Sequence, residues 1–257
     1  MSAPLLQANK LAVSIAGKPV VHGLDLALQP GDCLAILGRN GAGKTTLLHT
    51  LAGLRAPDAG ELRLNDAGYA EQGARSAAQA RGLLLQHQGD AFPATVLETV
   101  LVGRHPHLSR FAWEGEGDSR IAREALSAVG LSELAQREVH TLSGGERQRV
   151  ALATLLAQQP KLYLLDEPLA HLDLNHQLAM LDLFAHLAQD QEVGVAMVLH
   201  DPNLALRFCN RALLLHGDGT HDLGESDEQL DADRLTKLYG HPLRMLQDGA
   251  RRWFIPE

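Results

Sequence analysis

The nine residues Gly38-Arg39-Asn40-Gly41-Ala42-Gly43-Lys44-Thr45-Thr46 restrict the fold of this chain more than any other stretch. They stand between the apolar run Cys33-Leu34-Ala35-Ile36-Leu37 and the helical pattern Leu47-Leu48-His49-Thr50-Leu51-Ala52, so a buried strand must turn into a helix within a few residues. Glycines let the backbone turn without Cβ clashes, and successive N–H groups from Asn40 to Lys44 can then face one concavity. The helix adds its positive N-terminal end. Lys44 reaches the β- and γ-phosphates of a nucleotide as a compact cation, and the Thr45 hydroxyl is placed for a Mg²⁺ that touches the same oxygens. A glycine-rich turn with a stray Lys-Thr is the plain structural alternative; the strand before and the helix after favour phosphate binding.

The remaining pattern fits an α/β chain. Leu11-Ala12-Val13-Ser14-Ile15 and Leu24-Asp25-Leu26-Ala27-Leu28, separated by the turn Ala16-Gly17-Lys18-Pro19, predict two or three antiparallel strands. Glu61 to Leu64 alternates as a short strand, residues 66 to 81 read as a loop with a short helix, and Arg81 to Gln86 returns to strand. From about Asp90 to Gln159 the period becomes helical, with Ile121, Ala125 and Ala128/Val129 on one face and Val150, Ala153 and Ala157 on another. Leu162 to Leu165, Val193 to Leu199 and Ala212 to His216 are near-continuous apolar strands, and Leu174, Leu178, Leu181 and Ala185 share a helix face. Apolar strands alternating with helices predict a parallel sheet covered on both sides.

At 257 residues the chain is long enough for one large α/β domain. Its net charge of −8 disfavours a nucleic-acid partner. Cys33 and Cys209 lie in apolar settings and read as buried free thiols. The scattered histidines show no metal-ligand spacing. Met1 to Gln7 lacks the features of a signal peptide, and no stretch reaches bilayer-spanning length, so a cytoplasmic, soluble chain is expected.

Leu162-Tyr163-Leu164-Leu165-Asp166-Glu167 is an apolar strand ending in two acids. Beside a phosphate loop, Asp166 can hold Mg²⁺ and Glu167 can take a proton from an attacking water. Leu142-Ser143-Gly144-Gly145-Glu146 is at once a capping box and a helix start with free N–H groups for an anion. Followed by Arg147-Gln148-Arg149, it resembles the signature sequence of ABC-type ATPases. Across nearly the whole chain the resemblance then holds. Gly38 to Thr45 matches the Walker A motif, Leu162 to Glu167 the Walker B, Gln86 the Q-loop, Leu172-Asp173 the end of the D-loop, and His200 the switch histidine. A lone Gln or His after a strand means little; six such elements in order are specific.

The resemblance implies a mixed-sheet core with an antiparallel β subdomain (about 1–88 and 160–257) and a helical insertion (about 89–159), together one domain over 1–257. It further implies a head-to-tail homodimer with two ATP at the interface, each on Lys44, Thr45 and Thr46 of one copy under Ser143 and Gly145 of the other. Gln86, with Thr45 and Asp166, would meet Mg²⁺, and His200 would hold the γ-phosphate. Two positions depart from the family. Ile15 stands where an aromatic residue usually stacks on adenine, so a raised KM for ATP and weaker discrimination against GTP are expected. Ala170 replaces the usual D-loop hydroxyl.

Phe92 to His107, with Gly103-Arg104-His105-Pro106-His107 at its end, resembles a stretch of the ATPases of iron-siderophore, haem and cobalamin importers. The alternative is an amphipathic helix with its own core contacts. On the resemblance, the apolar face of this stretch receives a permease helix, with a periplasmic binding protein as indirect partner and the chain peripheral on the cytoplasmic face of the membrane. A soluble ABC ATPase of an assembly complex, such as iron–sulfur cluster building, would share every nucleotide motif but not the Gly103-Arg104 stretch. A DNA-repair or translation ABC protein would need a coiled coil, a second ATPase unit or a basic face. A nucleotide kinase would leave Ser143 to Glu146 and His200 unexplained.

Overall fold

A computed structural model describes residues 3–86, 93–109, 113–190, 192–249 and 251–257. The chain opens with a hairpin of β1 (Leu6–Ile15) and β2 (Lys18–Leu28). Only Ala16 and Gly17 form the turn, at φ of 48° and 77°, the left-handed backbone that matches strand twist in a two-residue hairpin. Lys18 and Pro19, expected in the turn, begin β2 instead; Pro19 is tolerated there because β2 is an edge strand.

The chain then enters a second sheet through β3 (Cys33–Gly38), all six residues buried, and leaves it through α1 (Lys44–Leu51). β4 (Ala59–Leu64) and β5 (Ala67–Gly68) complete the first sheet in the order β2-β1-β4-β5. Helices α2 (Tyr69–Gln72) and α3 (Ala74–Ala80) lead to β6 (Arg81–Leu84), so the expected loop over 66–81 is mostly ordered into short elements. Tyr69 anchors this region: its hydroxyl donates to Leu51 O at 2.7 Å.

The helical stretch comprises α4 (Val96–Leu101), a 3₁₀ helix over Val102–His107, α5 (Glu116–Ala128) and α6 (Gly144–Gln158). The expected faces pack as predicted at Ala125, Val129, Val150, Ala153 and Ala157, all buried, whereas Ala128 is exposed. β7 (Leu162–Leu165), α7 (Leu174–Asp190), β8 (Gly194–Val198), α8 (Pro202–Phe208), β9 (Arg211–Leu215) and β10 (His221–Glu225) follow. The chain closes with α9 (Ser226–Gln229), α10 (Ala232–Tyr239) and the hairpin β11 (Leu243–Asp248) and β12 (Arg251–Pro256). In α7 the buried line is Met180, Leu181, Phe184 and Ala188. Leu174, expected on that face, is 65% exposed, so the buried line begins only at Met180.

The second sheet runs β10-β9-β3-β8-β7-β6, parallel from β9 to β6 with β10 antiparallel at the edge. Alternate side chains feed two apolar cores. Leu34, Ile36, Leu162 and Leu164 face the antiparallel sheet and α1, while Ala35, Leu37, Tyr163 and Leu165 face the helices. Each fully buried Leu contributes about 1.5–3 kcal/mol of transfer free energy, so the sheet that carries the site is held rigidly from both sides.

Candidate nucleotide site

The carboxyl ends of the parallel strands converge on one cleft of about 420 Å³. It is lined by Ile15, Asn40, Gly41, Gly43, Lys44, Thr45, Thr46, Gln86, Glu167 and His200. Residues from the first strand, the glycine loop and the ends of β6, β7 and β8 therefore meet, as the sequence order suggested. Gly38 and Ala42 do not line the cleft; Ala42 is buried beneath the loop, its Cβ 3.3 Å from where a Gly38 Cβ would stand.

The loop conformation needs its glycines. Gly41 and Gly43 sit at φ of 81° and 90°, and a Cβ on Gly43 would lie 2.4 Å from a Val20 methyl. Val20, on β2, is thus a support of the loop that sequence reading missed, because only the paired sheets bring it there. Lys44 is 6% exposed and donates from Nζ to Gly38 O at 2.8 Å and Arg39 O at 3.2 Å, two of its three donors. Burial lowers its pKa, against an upward pull from Glu167 and Asp166.

Asp166 is fully buried behind the cleft, and among the described residues neither carboxylate oxygen has a hydrogen-bond partner of normal geometry. Burial raises its pKa, the nearby Thr45 hydroxyl draws it back, and the charge of Glu167 raises it further. A buried carboxylate without a partner is costly unless something supplies positive charge. Hard oxygen donors from Asp166 and Thr45, with the amide oxygen of Gln86 across the cleft, suit Mg²⁺.

Glu167 has φ of 49°, a strained backbone for a non-glycine residue, and its Oε1 lies 3.0 Å from His200 Nε2. His200 follows β8 and its backbone oxygen accepts from Tyr239. Glu167 and His200 thus face each other in the lining of the cleft.

Ser143 and Gly145 lie outside this cleft. Ser143 caps α6: its hydroxyl accepts from Glu146 N at 3.3 Å and donates to Glu146 Oε2, which also accepts from Ser143 N, both at 2.8 Å. Those bonds hold the Glu146 carboxyl below its ordinary pKa. A Cβ on Gly145 would stand 2.8 Å from His171 O, so glycine is what lets the loop after β7 lie against the start of α6. His171, at φ of 63°, is a second support that no motif flagged.

The sequence from residue 21 to 170 matches the model of the ABC transporter family. The chain belongs to that family. It is 45% identical over 221 residues to the hemin import ATP-binding protein HmuV of Gloeobacter violaceus, covering 82% of this chain and 78% of that one. A metal-chelate type ABC transporter in an inward-facing conformation superposes with a TM-score of 0.86 at 33% identity, over 99% of this chain and 98% of that one. A dimeric ATP-binding cassette in a post-hydrolysis state, with ADP and Pi bound, gives a TM-score of 0.74 at 26% identity over 86% of this chain and 98% of that one. ABC ATPases bind and hydrolyse ATP. Among the described residues no helix is long and apolar enough to cross a membrane.

Within the importer-like stretch, Phe92 and the expected boundary at 88/89 fall outside the described residues. Gly103 to His107 turns its polar side inward: Arg104 is 7% exposed, while Val102 is 51% exposed.

Proposed function

We propose that the chain energises import of a metal chelate, with iron-siderophore, haem and cobalamin as the candidate cargo classes, through a separate membrane permease fed by a periplasmic binding protein. The name of the Gloeobacter relative and the transporter type of the solved neighbour support this cargo class. The chain acts as one ABC ATPase domain, 1–88 and 160–257 forming the core and β subdomain and 89–159 the helical insertion, peripheral on the cytoplasmic face. The apolar residues of α4, Val96, Leu97 and Val100, are buried in the core of this chain, which corrects the expected apolar docking face, and the exposed Val102 with the turn after it is what meets the permease.

Two copies pair head to tail. In each site the N–H groups from Asn40 to Thr46 and the Lys44 ammonium hold the phosphates, while Ile15 packs against the base. Glu167 orients a water and accepts its proton, and His200 holds the γ-phosphate. Asp166, Thr45 and Gln86 would hold Mg²⁺, which offsets the charge on the phosphate oxygens when bound. Ser143 and Gly145 of the second copy cover the nucleotide from the far side. Pairing drives the permease, and hydrolysis with phosphate loss releases it.

The observation that carries this reading is the division of the motifs. The Glu167–His200 pair shares a cleft with Lys44, whereas the α6 N-terminus is absent from the lining. Co-purification from detergent-solubilised membranes of the native host tests the transport half. Recovery of a polytopic permease is expected; soluble partners alone, with ATPase activity intact, would overturn import and leave the ATPase.

A further inference from the structure

Gly103-Arg104-His105-Pro106-His107 is the motif the nucleotide cleft leaves unused, and its polar contacts run into the protein. The 3₁₀ helix has three residues per turn, so Arg104 and His107 share one face. That face meets the last turn of α6. Arg104 Nη1 donates to Ala157 O at 2.7 Å and Gln159 Oε1 at 3.1 Å, and His107 Nε2 donates to Gln158 O at 2.8 Å. Ala157 O and Gln158 O are carbonyls a helix end leaves without partners, and a cation there also offsets the negative end of the helix. Arg104 Nε bonds Asp118 Oδ1 at 2.9 Å in the first turn of α5 and holds that carboxyl below its ordinary pKa. Gly103 permits the contact, since a Cβ there would stand 2.2 Å from Thr154 O.

The same turn reaches the other side of the junction. Pro106 O accepts from Arg75 Nε at 3.0 Å and Gln79 Nε2 at 2.7 Å, both on α3. Gln158, one residue beyond Ala157, donates to Arg81 O at 2.9 Å at the start of β6, the strand that leads to Gln86. One buried cation thus sits where α3, α5, α6 and the root of the Gln86 strand meet. α6 spans 15 residues, a rod of about 22 Å, and its far end carries Ser143 and Gly145.

We propose that Arg104 is a positioning residue for the shared nucleotide site. By tying the C-terminal end of α6 to the first turn of α5, beside the Gln158 contact to the start of β6, it sets where Ser143 and Gly145 stand when they cover the partner's ATP. The proposal rests on the head-to-tail pairing above. Removing the guanidinium leaves α6 seated by Val150, Leu152 and Leu155, but frees the rod to pivot about that apolar contact. Nucleotide binding by a single copy, which depends on Lys44, is untouched.

The test compares Glu167→Gln with Glu167→Gln/Arg104→Met as full-length chains. Sedimentation velocity gives the ATP concentration at half-dimer, and calorimetry gives the ADP affinity of the monomer. The expected result is a rise of at least tenfold in the first with less than twofold change in the second. An unchanged half-dimer concentration, or an equal loss of ADP affinity, would overturn the proposal. Should Arg104→Met fail to fold, Asp118→Asn keeps both α6 contacts and is expected to shift the half-dimer point about threefold; no shift there overturns it equally. A Glu167→Gln parent that stays monomeric with ATP refutes the pairing itself, and this proposal with it.

Discussion

Two glycine-containing motifs, Gly38–Thr46 with the acids beside it and Gly103–His107 with its basic residues, end up in opposite states of hydrogen bonding. Around Lys44 capacity is left over: Asp166 has two buried oxygens without partners, and Glu167 is held in a strained backbone. Around Arg104 capacity is closed, with Asp118, Ala157 O and Gln159 all engaged by one guanidinium. The first is a site that a ligand completes; the second is a joint that the protein completes by itself. A buried polar group therefore reports its purpose by what it lacks as much as by what it touches.

Breaking the two regions should give opposite signatures. Glu167→Gln removes the proton acceptor without disturbing the fold, so ATP turnover is expected to fall about 10²–10⁴-fold while nucleotide binding and Tm persist; steady-state kinetics with a thermal melt checks this. Gly103→Ala should act the other way. Its Cβ meets the α6 backbone, an overpacking cost of about 1–3 kcal/mol, read as a Tm lower by roughly 2–12 °C in a domain of this size. Nucleotide affinity of the folded fraction is expected to stay the same. A Gly103→Ala chain of unchanged Tm would show that the joint is looser than its contacts indicate.

Asp166→Asn gives the smallest stability change and the sharpest contrast, because it should stabilise the free protein while abolishing hydrolysis. The raised pKa means that the folded state holds its proton more tightly than the unfolded chain. The stability penalty is therefore full above the folded-state pKa and vanishes as pH falls below the ordinary carboxylate value. The variant's Tm is expected to exceed the parent's at pH 7 to 8, and the gap should close on acidification. A lower Tm at pH 7 would contradict the account of Asp166 as an unsatisfied buried charge.

Much of this was legible in the sequence, and the reasons differ by element. Gly38–Thr46 and Leu162–Glu167 declare themselves because backbone N–H direction and strand-end acids depend on local chain chemistry alone. The Ser143 cap was readable, since the spacing to Glu146 fixes it. Val20 and His171 were not, because each acts through a contact made only after distant segments fold together. Nor was the approach of Cys33 and Cys209, whose sulfurs lie 3.6 Å apart across 176 residues of sequence. The Arg104 motif was visible as a pattern, but its inward direction follows from the eclipsed 3₁₀ turn, which periodicity at 3.6 residues does not reveal. Leu174 misled because helical register names a face, but not where along the helix burial begins.

The central claim is that a complete nucleotide site needs two copies, one giving the cleft around Lys44 and the other the α6 N-terminus. Sedimentation velocity of full-length Glu167→Gln, with and without Mg²⁺ and ATP, tests it most directly. The account predicts a monomer without nucleotide and a dimer holding two ATP with it. A monomer that binds ATP tightly and never pairs would contradict it.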